Sequence, residues 1–289
     1  MKKAVGKFNA NENPLRHLIG RILYYLVIAL FSFYIVFPFF WQIITSLKPE
    51  SEIFLSPPRW FPGKISFESF VNVFLRHNFQ AYLTNSVLVG LGTTILAVVV
   101  SSVASYALAR LRFKGKKLVL GVALAASMFP AMAIICPLFV VLRSLSLLNT
   151  LFGLIIVYST FALPMALWNQ TSFFRQIPYE LEEAAMVDGC SPLTAFTRII
   201  LPLAGPGTFT TAILVFIGAW NEFTFSLVFN TKDAVRTVPV GIAMFPGLHN
   251  YPWGDISAAS VIVTFPMIIL VLICQRWIVS GLTAGAVKG

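Results

Sequence analysis

Charge is what this sequence has least of. Asp, Glu, Lys and Arg make up only 11% of its 289 residues, against about 25% in an average soluble domain. With 57% hydrophobic residues and a mean hydropathy of +0.82, the composition excludes an ordinary soluble globular chain. Cysteine is scarce as well. Cys136, Cys190 and Cys274 form no metal-ligand spacing, so no metal site is expected, and an odd count argues against a disulfide framework. They read as packing residues. A glycine loop of the Walker A type is missing, so the chain is expected to hydrolyse no nucleotide and to be no enzyme. The first apolar run is too long for a signal-peptide core and lacks an Ala-x-Ala cleavage site. The shortage of acids leaves a net charge of +10, which reads as basic loops beside a membrane rather than as a nucleic-acid surface.

What the sequence has is apolar length. Runs near Ile22–Thr45, Tyr82–Leu108, Leu118–Leu142, Leu151–Phe174, Gly207–Phe229 and Ile256–Ser280 are each long enough for a transmembrane helix. They predict an all-α transmembrane fold of six helices with both termini on one side. Residues 1–21 form a polar tail, residues 22–280 the membrane domain and residues 281–289 a second tail. Of the basic residues, fourteen fall on the side of the termini and seven on the other. Positive residues mark the cytoplasmic face, so both termini are predicted to be cytoplasmic.

Residues 176–202 are the one polar stretch with helical punctuation, and the charge count puts them in the cytoplasm. Pro178 suits a first helical position. Glu180, Glu182 and Glu183 favour the positive end of a helix dipole. Gly189 can end the helix with φ > 0. Ser191 reads as the N-cap of a second helix that begins at Pro192, carries Arg198 near its end and stops at Pro202 and Pro206. Leu181, Ala184, Ala185 and Asp188 share one small-sided face of the first helix, which another backbone can approach closely.

The spacing Glu183-Ala184-Ala185, Gly189, Ile199, Leu201-Pro202 resembles the EAA signature of ABC importer permeases of the MetI-like type at every fixed position. The resemblance implies a cytoplasmic coupling helix docked in a cleft of an ATPase subunit, with Asp188 in the same segment. It also implies a second permease subunit, two ATPase subunits and an extracytoplasmic solute-binding protein in a bacterial inner membrane. ATP and Mg would sit on the ATPase subunits, with no cofactor on this chain.

Outside the membrane, 46–81 reads as an ordered loop with a short interfacial helix near Phe67–Leu75. The loop 230–254 reads as irregular, and His249 in it has no metal-ligand neighbours. Pro38, Pro130, Pro137, Pro164 and Pro266 predict kinks within spans. Among polar residues in spans, Gln42, Asn85, Asn169, Gln170, Asn221 and Glu222 stand out. A carboxylate in a span costs on the order of 2.5–3.5 kcal/mol at the bilayer centre, so Glu222 is expected to face a cavity or a partner helix. Trp220, Asn221 and Glu222 offer a ring face beside hydrogen-bonding groups, a combination that binds sugars, and Asn85 joins them as a pathway candidate. The alternative is that Glu222 locks helices by a hydrogen bond.

The C-terminal Gly281-Leu282-Thr283-Ala284-Gly285, followed by Lys288, with Trp253-Gly254-Asp255 upstream, is similar to the maltose and oligosaccharide branch of these permeases. There the tail inserts between the ATPases, and glycine spacing is expected to make it a flexible strand. The loop corresponding to 230–254 reaches into the binding protein. The resemblance implies import of a carbohydrate, and the lack of an Arg or Lys cluster in the spans favours a neutral one. A rival class, an ion-coupled secondary transporter using Glu222, accounts for the carboxylate but not for the 176–202 segment, and no inverted repeat is visible.

Overall fold

The computed structural model describes residues 14–246 and 251–284, with side chains described within 18–246 and 251–277. Its regular elements are all helical among the described residues. In chain order they are α1 (Pro14–Ser46), α2 (Glu50–Ile53), α3 (Glu68–Leu75), α4 (Phe79–Arg110), α5 (Lys116–Ser127), α6 (Ala131–Ser144) and α7 (Leu151–Gln176). There follow α8 (Glu180–Val187), α9 (Pro192–Ala195), a π-helical turn over Phe196–Ile200, α10 (Leu201–Leu203), α11 (Gly205–Asn221), α12 (Thr224–Phe229), α13 (Val238–Ala243) and α14 (Trp253–Ala284).

Four of these are long and apolar enough to cross a membrane unaided, and six spans result when each of two bent pairs is one span. The first pair, α5 and α6, is bent by 96°. The break falls at Phe129-Pro130, where proline cannot donate to the previous turn and pushes its predecessor out of the helical region. The sequence expected one continuous span over Leu118–Leu142, and the structure corrects that to two short helices. The second pair bends by 75° between Leu203 and Gly205. The fifth expected span is shorter than expected, since α11 ends at Asn221 and Glu222 is extended with ψ 127°.

α4 is the central element. It packs along α7, α11 and α13, while α1 leans on α14 and α14 also meets α11. Four clusters hold this arrangement, the smallest being Ala97, Ala166 and Val215 between α4, α7 and α11. Where α4 begins, Val73, Phe79, Tyr82, Val238, Phe245, Ala258 and Ala259 join α3, α4, α13 and α14. In the middle Val89, Leu154, Val157, Tyr158, Phe225 and Phe229 join α4, α7 and α12. Where α4 ends, Tyr106, Phe174, Phe196 and Ile200 sit under the polar segment. Between spans, close van der Waals packing rather than escape from water holds these side chains together.

The loop after α1 is ordered, as expected. Trp60 meets Trp41 edge-on at 5.6 Å, Phe61 meets Phe40 at 6.4 Å, and Lys48 Nζ donates to the Arg59 carbonyl at 2.5 Å. The interfacial helix runs from Glu68 to Leu75. The loop 230–254 departs from its reading as irregular, because α13 forms within it behind a 3₁₀ turn over Asp233–Val235. His249 lies outside the described residues.

Gly241 on α13 sets how near that helix comes to α4. A Cβ there would lie 2.2 Å from Cδ2 of Tyr82, a ring buried to 4% exposure. Gly241→Val should therefore cost roughly 1–3 kcal/mol by overpacking. Thermal unfolding in detergent should show a lowered midpoint, and an unchanged midpoint would mean the ring moves freely.

Candidate functional site

The polar segment forms a compact cap on the membrane helices at the end where α4 stops and α8 begins. α7 stops where Ile177 turns extended ahead of Pro178, and α8 begins at Glu180, two residues later than the sequence placed it. Glu180, Glu182 and Glu183 occupy its first turn. Its end is closed by Gly189 at φ +88°, with the Gly189 amide donating to the Met186 carbonyl at 3.1 Å and the Cys190 amide to the Ala185 carbonyl at 2.9 Å. That pair of bonds is the Schellman closure, which needs a left-handed residue at this position. Ser191 caps the next helix, its Oγ accepting from the Thr194 amide at 3.3 Å.

One side of α8 is buried and the other is bare. Glu182 and Ala185 face inward, while Leu181, Glu183, Ala184, Val187, Asp188 and Gly189 are exposed. Ala185 thus belongs to the protein's own packing, which corrects its placement on a shared outer face with Leu181, Ala184 and Asp188. Ile199 and Leu201 pack against the cluster where α4 ends, and Pro202 is exposed. The exposed carboxylates Glu180, Glu183 and Asp188 give the bare side an acidic character. Asp188 sits at the helix C-terminus, where the dipole disfavours a negative charge, so its position does not serve helix stability.

What holds α8 in place was missed by sequence reasoning. Arg110, counted there as a loop cation, is the last residue of α4 and is buried at 6% exposure. Its Nη2 donates to the Ile177 carbonyl at 2.7 Å, and its Nε lies 3.6 Å from Oε2 of Glu182. The Tyr106 hydroxyl donates to the other oxygen of Glu182. Arg110 also stacks 4.4 Å over the ring of Tyr179, whose hydroxyl donates to the Ala109 carbonyl at 2.9 Å. The end of α4 and the start of α8 are joined by charge, hydrogen bonds and stacking together.

The four pathway candidates are not brought together. Asn85 is buried and donates to the carbonyls of Ala234 and Arg236, both at 2.9 Å. It pins the 234–236 segment. Trp220 is buried against Phe216, and Asn221 donates to the Ile217 carbonyl of its own helix. Glu222 alone reaches a cavity. Its carboxylate accepts from the amides of Phe225 at 2.8 Å and Ser226 at 3.2 Å, so it caps α12. This corrects the expectation of a carboxylate inside a continuous span. At a helix start the free amides stabilise the charge. Tyr158 shares the cavity wall with it. The cavity measures about 290 Å³ and lies between α4, α7 and α11, with Thr93, Tyr158, Phe161, Phe225 and Glu222 among its walls. Gln42 lines a separate cavity near the end of α1, with Trp41 and Trp253.

At the C-terminus, Gly281, Leu282 and Thr283 continue α14 rather than starting a flexible strand, because the helix runs to Ala284. Gly285 and Lys288 lie outside the described residues, as do the side chains of the other three.

Residues 97–283 match the family described as binding-protein-dependent transport system inner membrane component. The chain belongs to this family. It is 45% identical over 258 residues to the trehalose transport system permease protein SugB of Mycobacterium tuberculosis, covering 89% of this chain and 93% of the relative. It is 42% identical to the sulfoquinovosyl glycerol transport system permease protein SmoH of Agrobacterium fabrum, over 96% of this chain and 94% of the relative. With the trehalose/maltose transport system permease protein MalG of Thermococcus litoralis it shares 44% identity over 94% of this chain and 98% of that one. The fold is that of a bacterial ABC transporter importing the acidic polysaccharide alginate, with TM-score 0.80, 20% identity and coverage of 93% of this chain and 99% of the other. The permease is therefore a multi-pass inner-membrane transport subunit and not an enzyme, and it works with other subunits and a solute-binding protein. The secondary-transporter reading has no support from these relatives.

Proposed function

We propose that this permease forms half of the translocation pathway of an ATP-driven carbohydrate importer, and that the bare side of α8 docks an ATPase subunit. Both termini and α8 are cytoplasmic in this reading. The partners are one related permease, two ATPase subunits that carry ATP and Mg, and an extracytoplasmic binding protein. The observation that carries it is the shape of α8: Glu183, Ala184, Asp188 and Gly189 lie exposed in the family's signature spacing, while Glu182 anchors the helix from behind. Glu183 and Asp188 suit a basic cleft wall, and Ala184 and Gly189 allow close backbone approach. Ile199, Leu201 and Pro202 carry the docked segment on the inner ends of the spans. The tail residues Gly281, Leu282, Thr283, Gly285 and Lys288 contact the ATPases.

The mechanism is alternating access. Closure of the ATPases around ATP draws α8 with it, and the spans reorient from inward- to outward-open. The trehalose and trehalose/maltose relatives and the absence of a cation from the walls of the Glu222 cavity, among the described residues, support a neutral sugar, against the sulfonated solute in the name of the sulfoquinovosyl glycerol relative. The volume is near the lower bound of ligand pockets, about 300 Å³, so a second subunit completes the site.

The test is uptake of trehalose and maltose by proteoliposomes holding the purified complex, with ATP enclosed, binding protein outside and ionophores present. Uptake that persists with ionophores and stops without ATP is expected. Uptake that follows an ion gradient and ignores ATP would overturn the reading. Glu222→Gln should change uptake by less than about fivefold, since the variant loses about 1 kcal/mol of capping. Loss of all driven uptake would instead return Glu222 to the role of an ion site.

A further inference from the structure

α4 is fastened at both ends, and the fastenings lie on opposite sides of the membrane in the topology proposed above. Its inner end holds α8 through Arg110 and Tyr106 on Glu182. Its outer end holds the 233–238 segment. There Tyr82 donates to Asp233 at 2.6 Å, Asn85 holds two carbonyls, and Ser86 Oγ accepts from the Val238 amide at 2.8 Å.

Between these ends runs a stiff element. α4 has 32 residues, about 48 Å at 1.5 Å per residue. The three other unbroken membrane helices contain Pro38, Pro164 and Pro266, whereas α4 has no proline. Its two central glycines are not hinges. A Cβ at Gly90 would lie 2.8 Å from Phe216, and one at Gly92 would lie 2.6 Å from Ile155. Both allow neighbouring helices to grip the rod closely. Along the chain, by contrast, α8 is connected to α7 through the extended Ile177 and Pro178, and to α11 through a 75° bend. Those connections are joints. The contacts of Arg110 and Tyr106 with Glu182 give a push on α8 a route into α4, beside the route through α9 and the π-helical turn.

We propose that α4 is the element through which the docking helix and the external 233–238 segment move together, with Arg110 and Glu182 as its inner positioning residues and Asn85 and Ser86 as its outer ones. The inference rests on the importer reading. It adds that nucleotide closure inside and binding-protein contact outside are linked along this one helix, within a single subunit.

The experiment measures how strongly solute-loaded binding protein stimulates ATP hydrolysis by the purified complex in lipid. The inner link is removed with Arg110→Met/Glu182→Leu, which takes away both charges together and leaves none buried alone. The outer link is removed with Asn85→Leu. Stimulation, read as the ratio of stimulated to basal hydrolysis in complexes of equal subunit composition, should fall about tenfold in each. Combining them should be no worse than either, because two breaks in one path do not add. Spin labels at Met186 on the flank of α8 and Val103 on α4, both exposed, should keep one separation with and without trapped ATP in the native pair and two separations in the inner variant. Packing loss alone would not produce that nucleotide-dependent split. Unchanged stimulation in the inner variant, or multiplying effects in the combination, would overturn the inference and leave the importer reading intact. A native chain that binds no ATPase would overturn both.

Discussion

The Gly189→Trp chain is expected to insert and fold normally but to leave the membrane without its ATPase. Gly189 is exposed, and a Cβ there would meet nothing within 4 Å. The new indole would therefore not clash inside the chain. Its φ of +88° adds a backbone cost of about 1–2 kcal/mol for a non-glycine residue, too little to unfold a subunit held by four hydrophobic clusters. The indole would instead stand in the path of anything that approaches the bare side of α8. Association should weaken by roughly 100-fold, equivalent to about 2.8 kcal/mol. Gly189→Asn separates the two effects, because asparagine tolerates the left-handed conformation and is small. It should bind nearly as well as the native chain. Normal ATPase binding and transport by the Trp variant would show that α8 docks nothing.

The second large effect is expected at Arg110. Its side chain is 1% exposed, and that of Glu182 is 8% exposed. Arg110→Ala leaves the Glu182 carboxylate in a nearly dry site with only the Tyr106 hydroxyl beside it. Breaking a buried pair from one side costs about 3–5 kcal/mol, a large share of the 5–15 kcal/mol that typically separates folded from unfolded chains. The variant should accumulate poorly and melt well below the native chain in detergent. Arg110→Met/Glu182→Leu should recover most of that loss. Equal melting of the single and double variants would mean that water reaches Glu182 and the pair contributes little.

These two residues also show where the sequence was legible. Gly189 was readable because a helix stop with φ > 0 and the spacing to Glu183 both point to it. Glu182 was not. It stands next to Glu183 in the chain, but 100° per residue turns it to the opposite side of the helix, and only the packed neighbours decide which side is inner. Arg110 was counted as a loop cation, since a Lys- and Arg-rich run follows it. The signal available was Tyr106, which lies four residues earlier on the same helical face. Six apolar runs were enough to give the number of spans when bent pairs are joined. The bend after Phe129 had Pro130 as its sign. The break at Glu222 had none, because Phe223–Phe229 is as apolar as a continuing helix, and no glycine or proline interrupts it. Asn85 and Trp220 were chosen for their chemistry. The carbonyls that hold Asn85 lie about 150 positions away, beyond any local pattern, whereas Phe216 stands four residues before Trp220 on the same helix and was a legible neighbour.

The most direct test is to place a cysteine at Val187, the most exposed apolar position on α8 at 86%, and to crosslink it in the native membrane before extracting the tagged chain. The expected result is a covalent adduct with an ATPase subunit, in a complex that also contains a second permease. A chain that emerges alone or bound only to copies of itself, with Val187→Cys uncrosslinked, would contradict the docking of α8 and with it the importer.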